Sequence, residues 1–256
     1  MKELVDLLQV VTTLRAPGGC PWDRKQTLLS MRPYLLEETY EVLHCIDNQD
    51  NAALQAELGD LLFILLMLAT MAEEAGDFSL QDVARQIHDK MVRRHPDVFG
   101  AQDPNTASLS WEERKAQERA SDTQNARSSA LDGVPKALPA LLRAHRITEK
   151  ASNIGFDWPD LTGARNKLDE EINELDEALE SGDEEAIIDE FGDVLFTLVN
   201  LGRFLPARAE DALRKATARF EERFRHIEED LAAQGTTVYE ADMEHLEKAW
   251  QEAKQR

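Results

Sequence analysis

Apolar residues recur at three- and four-residue intervals along most of this 256-residue chain, and alternating strand-like runs are nearly absent. The pattern predicts an all-α fold. A first helix is expected from about Lys2 to Leu14, ending at Ala16-Pro17-Gly18-Gly19. Pro33 suits the first position of a second long helix. A third should span roughly Ala52 to Ala75 and stop at Gly76. Ser79 is placed to cap a helix reaching His95, with Pro96 behind it as a stop. Ser110-Trp111-Glu112-Glu113 has capping-box spacing and predicts a short helix. The second half reads as helices from about Pro139 to Ser152, Gly163 to Glu180, Arg208 to Ala233 and Glu240 to Lys254. Between the middle two lies a helix whose apolar stripe is Ile187, Phe191, Val194, Leu195 and Leu198. The run Leu61 to Ala72 is expected to be a helix buried on most sides, too short to span a bilayer.

The polar positions of these helices repeat. Glu38, Glu41, Glu57 and Asp60 recur as Glu171, Glu174, Glu190 and Asp193, every pair separated by 133 residues. Looser offsets, between 129 and 139, relate Gly19 and Trp22 to Gly155 and Trp158, and Lys90 and Arg94 to Arg219 and Arg223. Trp111 and Lys115 likewise match Trp250 and Lys254. The chain therefore reads as two tandem helical-bundle modules produced by internal duplication. Expected bounds are 1–120 for the first, 121–129 for a polar linker, and 130–256 for the second.

Within each copy the carboxylates stand three or four residues apart, on one helix face, where like charges cost about 0.2–0.5 kcal/mol per pair. A short polar connection would fold the two helices antiparallel and bring four carboxylates together. Such a cluster persists if it is exposed, protonated or holding a hard cation, and all-oxygen ligands favour Mg²⁺ or Mn²⁺. A solvated acidic face is the ordinary meaning of a Glu-rich helix, but it gives no reason for every carboxylate to keep its register twice. Glu41 and His44 form an E-x-x-H, as in di-iron bundles. The second copy has Glu177 where the first has His44, so the histidine falls outside the repeat.

Charge and cysteine content narrow the partners. With 29 basic and 50 acidic residues the net charge is −21, which disfavours nucleic acid and anionic membranes as general ligands. Cys20 and Cys45 form no disulfide framework, and the first residues lack the apolar core of a signal peptide; a reducing, cytoplasmic setting is expected.

E-E-x-x-E followed by E-x-x-D on paired helices resembles the all-α nucleoside triphosphate pyrophosphohydrolases, and the tandem arrangement is similar to the MazG-type members. The runs Cys20-Pro21-Trp22-Asp23, Pro33 to Glu38, Arg93 to Phe99, Leu131 to Pro135 and Gly155 to Trp158 extend the likeness over essentially the whole chain. The resemblance implies Mg²⁺-dependent hydrolysis of (deoxy)nucleoside triphosphates to monophosphate and pyrophosphate, in the service of nucleotide-pool sanitation, with Mn²⁺ a possible substitute. It implies that Glu171, Glu174, Glu190 and Asp193 are catalytic and hold the metal. Lys167, Arg219, Arg223 and Lys254 would contact phosphates, and Trp250 would lie near the nucleoside. Where this chain has Arg219 the family often has Lys, a change that keeps the charge and alters the donor geometry. Glu38, Glu41, Glu57 and Asp60 form a possible second site. The second module is expected to be the active one, because Asn200 stands on the expected metal face where the first module has Met67, a poor ligand for hard cations. A homodimer is expected, since modules of two long antiparallel helices leave apolar faces that want a partner. The alternatives are a same-fold hydrolase of another phosphoanhydride, phosphoribosyl-ATP or dUTP, and a non-catalytic metal-binding helical interaction protein.

Overall fold

The computed structural model describes residues 2–100 and 129–254, with the side chain of Asp97 left aside. The chain divides into two compact units, residues 1–117 and 118–256. The expected linker at 121–129, except Ser129, and the expected helix at Trp111 and Lys115 lie outside the described residues.

Unit 1 contains α1 (Lys2–Arg15), α2 (Pro21–Lys25), α3 (Arg32–Asn48), α4 (Asn51–Ala75), α5 (Leu80–Arg94) and α6 (Pro96–Phe99). Its core is Val11 of α1, Met31 ahead of α3, and Ile64, Leu66, Met67 and Met71 of α4, flanked by Leu7, Leu35 and Phe63. The end of α1 is fixed by Arg15, which donates to both oxygens of Glu74 and, at 2.6 Å, to the Asp23 carbonyl. Gly19 is required at the following turn, because a Cβ there would sit 2.3 Å from the Leu14 carbonyl oxygen. Ser79 caps α5 through a reciprocal capping box with Asp82, as its sequence predicts. Two local expectations shift. Pro33 is the second helical residue of α3 rather than the first, and Pro96 opens a short helix as well as ending one.

Unit 2 contains α7 (Ala140–Ser152), α8 (Leu161–Ser181), α9 (Glu184–Gly202), α10 (Ala209–Ala233) and α11 (Met243–Ala253). The last helix starts three residues after the expected Glu240, because Asp242 is the cap: its carboxylate accepts from the His245 amide at 2.9 Å. Helices α8 and α9 form an antiparallel hairpin, α7 packs on α9 and α10, and α11 lies along α10. Arg203 at the end of α9 is a junction, donating to Asn200 Oδ1 at 2.6 Å, to the Thr148 carbonyl of α7 at 3.3 Å, and to Asp157.

The same device turns both helix pairs. Gln49 and Gly182 each adopt the left-handed conformation, with φ of 55° and 71°. The next residue, Asp50 or Asp183, caps the second helix by accepting from two amides, those of Ala52 and Ala53 or of Glu185 and Ala186. These turns share the 133-residue offset of the carboxylates. One turn geometry therefore sets the register of both clusters.

The apolar faces are less covered than periodicity suggests. Of the expected α9 stripe, Phe191, Leu195 and Leu198 are exposed, and so are their unit 1 counterparts Leu58, Leu62 and Leu65, at 36–54%. The run Leu61 to Ala72 is nonetheless buried on most sides, as expected: Ala69 to Ala72 are buried in succession, and only Leu62 and Leu65 are exposed. At 25 residues helix α4 is longer than its most apolar run, and by length and composition alone it could cross a bilayer; here its buried side makes the unit 1 core. Met67 is completely buried at the centre of that core. Met67→Ala should destabilise unit 1 by about 2–5 kcal/mol, read as an early transition in thermal unfolding; an unchanged first transition would contradict this packing.

Candidate active site

Both hairpins deliver their carboxylates to one point. In unit 1 an oxygen from each of Glu38, Glu41 and Glu57 lies within 4.8 Å of the others, and in unit 2 the same holds for Glu171, Glu174 and Glu190. Two members of each trio come from the first helix of the hairpin and one from the second. Glu41 stands nine residues before the capping Asp50 and Glu57 seven after it, so both lie about two turns from the bend. Asp60 and Asp193, the fourth expected members, stand outside these trios. Both are exposed, and Asp60 acts on its cluster through charge, helping to raise the pKa of Glu38.

The clusters differ in how their charge is balanced. In unit 1, burial first and then the neighbouring carboxylates push the Glu38 carboxyl above its ordinary range. Its Oε2 is buried without a hydrogen-bond partner. Burial and Glu41 raise Glu57 in the same way. In unit 2, Lys167 is the local counter-charge, with Nζ 2.8 Å from Glu170 and 2.9 Å from the buried Glu171. These bonds hold the Lys167 ammonium well above its usual pKa. Glu174 is still raised, by burial and by its hydrogen bond with Glu171. Unit 1 has Tyr34 at the position of Lys167.

Three carboxylate oxygens so close together suit a hard divalent cation, and the orphaned Glu38 oxygen is a donor site that the protein leaves unfilled. His44 is not in the trio; its Nε2 pairs with Asn48 at 3.0 Å. Asn200 does not face the cluster freely as expected, because its Oδ1 accepts from Arg203.

A second group forms on α10 and α11. The Trp250 ring carries Arg223 Cζ at 5.9 Å and Lys254 Nζ at 5.7 Å from its centroid. It rests on Ile227, Leu231 and Ala253. Phe220 packs against Trp250 with centroids 5.1 Å apart and stacks on Phe224, yet stays 54% exposed. Sequence reasoning missed Phe220; the signal was its place three residues before Arg223, on the same face. Arg219 lies one turn before Arg223 and is exposed. Among the described residues no hydrogen bond or ion pair joins this aromatic and cationic group to the carboxylate trio.

Comparisons with known proteins agree with this layout. The family model described as "MazG nucleotide pyrophosphohydrolase domain" matches residues 26–99 and again 162–228, so each match takes in one hairpin and the helix with the basic pair. A nucleoside triphosphate pyrophosphohydrolase of Escherichia coli (strain K12) is 44% identical over 262 aligned positions, covering 100% of this chain and 98% of its own. The nucleoside triphosphate pyrophosphohydrolase/pyrophosphatase MazG of Thermotoga maritima is 43% identical over 249 positions, covering 97% of this chain and 94% of its own. With two domain matches and full-length relatives of this identity, the chain belongs to the MazG nucleotide pyrophosphohydrolase family.

Proposed function

We propose that the chain hydrolyses (deoxy)nucleoside triphosphates to the monophosphate and pyrophosphate, in unit 2, with a divalent cation, Mg²⁺ or Mn²⁺. The observation that carries this is the trio Glu171, Glu174 and Glu190, held within 4.8 Å in the unit that also presents Trp250 with Arg223 and Lys254 against its ring. The activity is the one printed in the names of full-length relatives.

Each part has a task that its chemistry suits. Glu171, Glu174 and Glu190 would hold the cation, with Asp193 reaching it by a change of rotamer. A divalent ion there supplies charge neutralisation of the triphosphate and a bound water of lowered pKa. Lys167, Arg219, Arg223 and Lys254 give charge-assisted hydrogen bonds to phosphate oxygens. Trp250, with Phe220 beside it, offers an aromatic face to the base. Water attacks the α-phosphorus in line, its proton passes to a carboxylate of the cluster, and pyrophosphate leaves with the bridging electron pair. The catalytic effect is chiefly preorganised charge. Unit 1 keeps the acidic trio but has Tyr34 in place of Lys167, so it is the structural or weakly active copy.

The role is housekeeping of the free nucleotide pool, in the cytoplasm. We assign the repeated exposed stripe, Leu58, Leu62 and Leu65 with Phe191, Leu195 and Leu198, to contact with a second copy of the chain.

Three measurements check these readings. Glu174→Gln should lower pyrophosphate release from dNTPs with Mg²⁺ by about 10²-fold or more, while Glu41→Gln retains most of it. Orthophosphate as the product would contradict attack at the α-phosphorus, and equal loss in both variants would contradict a single working unit. A second test is stability against pH. Glu38, Glu57 and Glu174 have raised folded pKa values, so they favour the fold at low pH; that contribution is lost as pH rises from the ordinary carboxylate range through the raised values. Between about pH 4 and pH 7.5 the Tm advantage of Mg²⁺ over EDTA should widen, and widen less in Glu174→Gln. A constant gap would argue against cation binding at these groups. Finally, sedimentation should give a dimer for the parent and a monomer for Phe191→Asp with Leu195→Asp; a monomeric parent would end the dimer assignment.

A further inference from the structure

A cavity of about 490 Å³ lies in unit 2 where the end of α9 meets the start of α10, beside α7. Its polar lining is His145, Arg203, Arg208, Lys215 and Asp211. Three fixed cations and a histidine around one space are unusual in a chain of net charge −21. The carboxylate does not balance them, because Asp211 pairs with Arg214 at 3.1 Å. Arg203 is tied to Asp157 and Asn200. Arg208 and Lys215 have no ion pair among the described residues.

A further observation points to an anion. The 25-residue helix α10 begins at this cavity with Arg208 in the capping position and no side-chain cap, leaving first-turn amides open. The duplication supplies a control. The offset of 129 that relates Lys90 to Arg219 sets Arg208 opposite Ser79 and Lys215 opposite Gln86. In unit 1 the helix start is closed by the Ser79–Asp82 capping box. Unit 2 has no side-chain cap there and carries cations at both positions.

We propose that this cavity binds a small phosphate anion, distinct from the triphosphate of the carboxylate site. Several separate cations and open amides match a tetrahedral oxyanion with several acceptor oxygens better than a carboxylate, which one Arg fork satisfies. Glu190 lies twelve residues, about 18 Å, back along α9 from Gly202. A bound anion would tie α9, which carries Glu190, to α10, which carries Arg219 and Arg223. The binding itself does not depend on the catalytic reading.

The test is calorimetric titration of the full chain in EDTA with orthophosphate, with pyrophosphate and with a nucleoside monophosphate. EDTA removes the divalent ions through which the carboxylate site could hold phosphate. The expected result is saturable binding of at least one of these, weakened about tenfold or more by Arg208→Gln with Lys215→Gln and unchanged by Arg223→Gln. Ala212→Glu, at an exposed position of the lining, should weaken it too and guards against misfolding of the double variant. The ligand held most tightly identifies the source of the phosphate. Binding of none, binding indifferent to Arg208 and Lys215, or binding lost in Arg223→Gln would overturn the proposal.

Discussion

Three carboxylates within 4.8 Å repel one another, and the protein holds them together twice. Each helix pair must therefore be secured by other contacts. The hairpin turns do part of this, through a left-handed residue followed by an Asp cap at the same place in both units. Packing does the rest, through Ile64, Leu66 and Met67 in unit 1 and through the buried Ala164, Leu168 and Val199 in unit 2. Burial first, and then the neighbouring carboxylates, raise the pKa values of Glu38, Glu57 and Glu174, and the Glu38 Oε2 is left without a partner. A cation would turn that unfavourable term into a binding one, which is the simplest physical reason to keep both clusters in register.

Duplication makes the differences informative. Both units keep the acidic trio and the basic pair one turn apart, while Lys167, Arg203, Arg208 and Lys215 are found in the second unit and their counterparts, Tyr34, Thr70, Ser79 and Gln86, in the first. The two copies thus share the acidic trio and differ in the positive charge around it. That divergence is the ground on which catalysis is proposed for unit 2, since a triphosphate calls for counter-charge.

Much of this was readable from residue spacing. Helix periodicity and an exact repeat place Glu38, Glu41 and Glu57, and Glu171, Glu174 and Glu190, on facing helices. Ser79 and Gly76 mark helix ends because capping and left-handed turns demand those residue types. Other features were not legible. Spacing shows which residues share a face but not which of them is covered, so the apolar stripe was legible while the exposure of Phe191 and Leu195 within it was not. Asn200 is on the expected face, but Arg203 claims its oxygen, a competition that depends on a helix distant in sequence. Asp60 and Asp193 have the right spacing, yet neither joins its trio within 4.8 Å. The Phe220–Trp250 contact joins helices whose pairing no periodicity reveals.

The most direct test of the central claim is the stoichiometry of Mn²⁺ binding, measured by electron paramagnetic resonance on the full chain. Neutralising one cluster, by Glu38→Gln with Glu41→Gln or by Glu171→Gln with Glu174→Gln, should leave one ion bound per chain, displaceable by Mg²⁺. Neutralising both should leave none. Retention of Mn²⁺ after all four substitutions, or no stoichiometric binding by the parent, would contradict the assignment of these carboxylates to a cation.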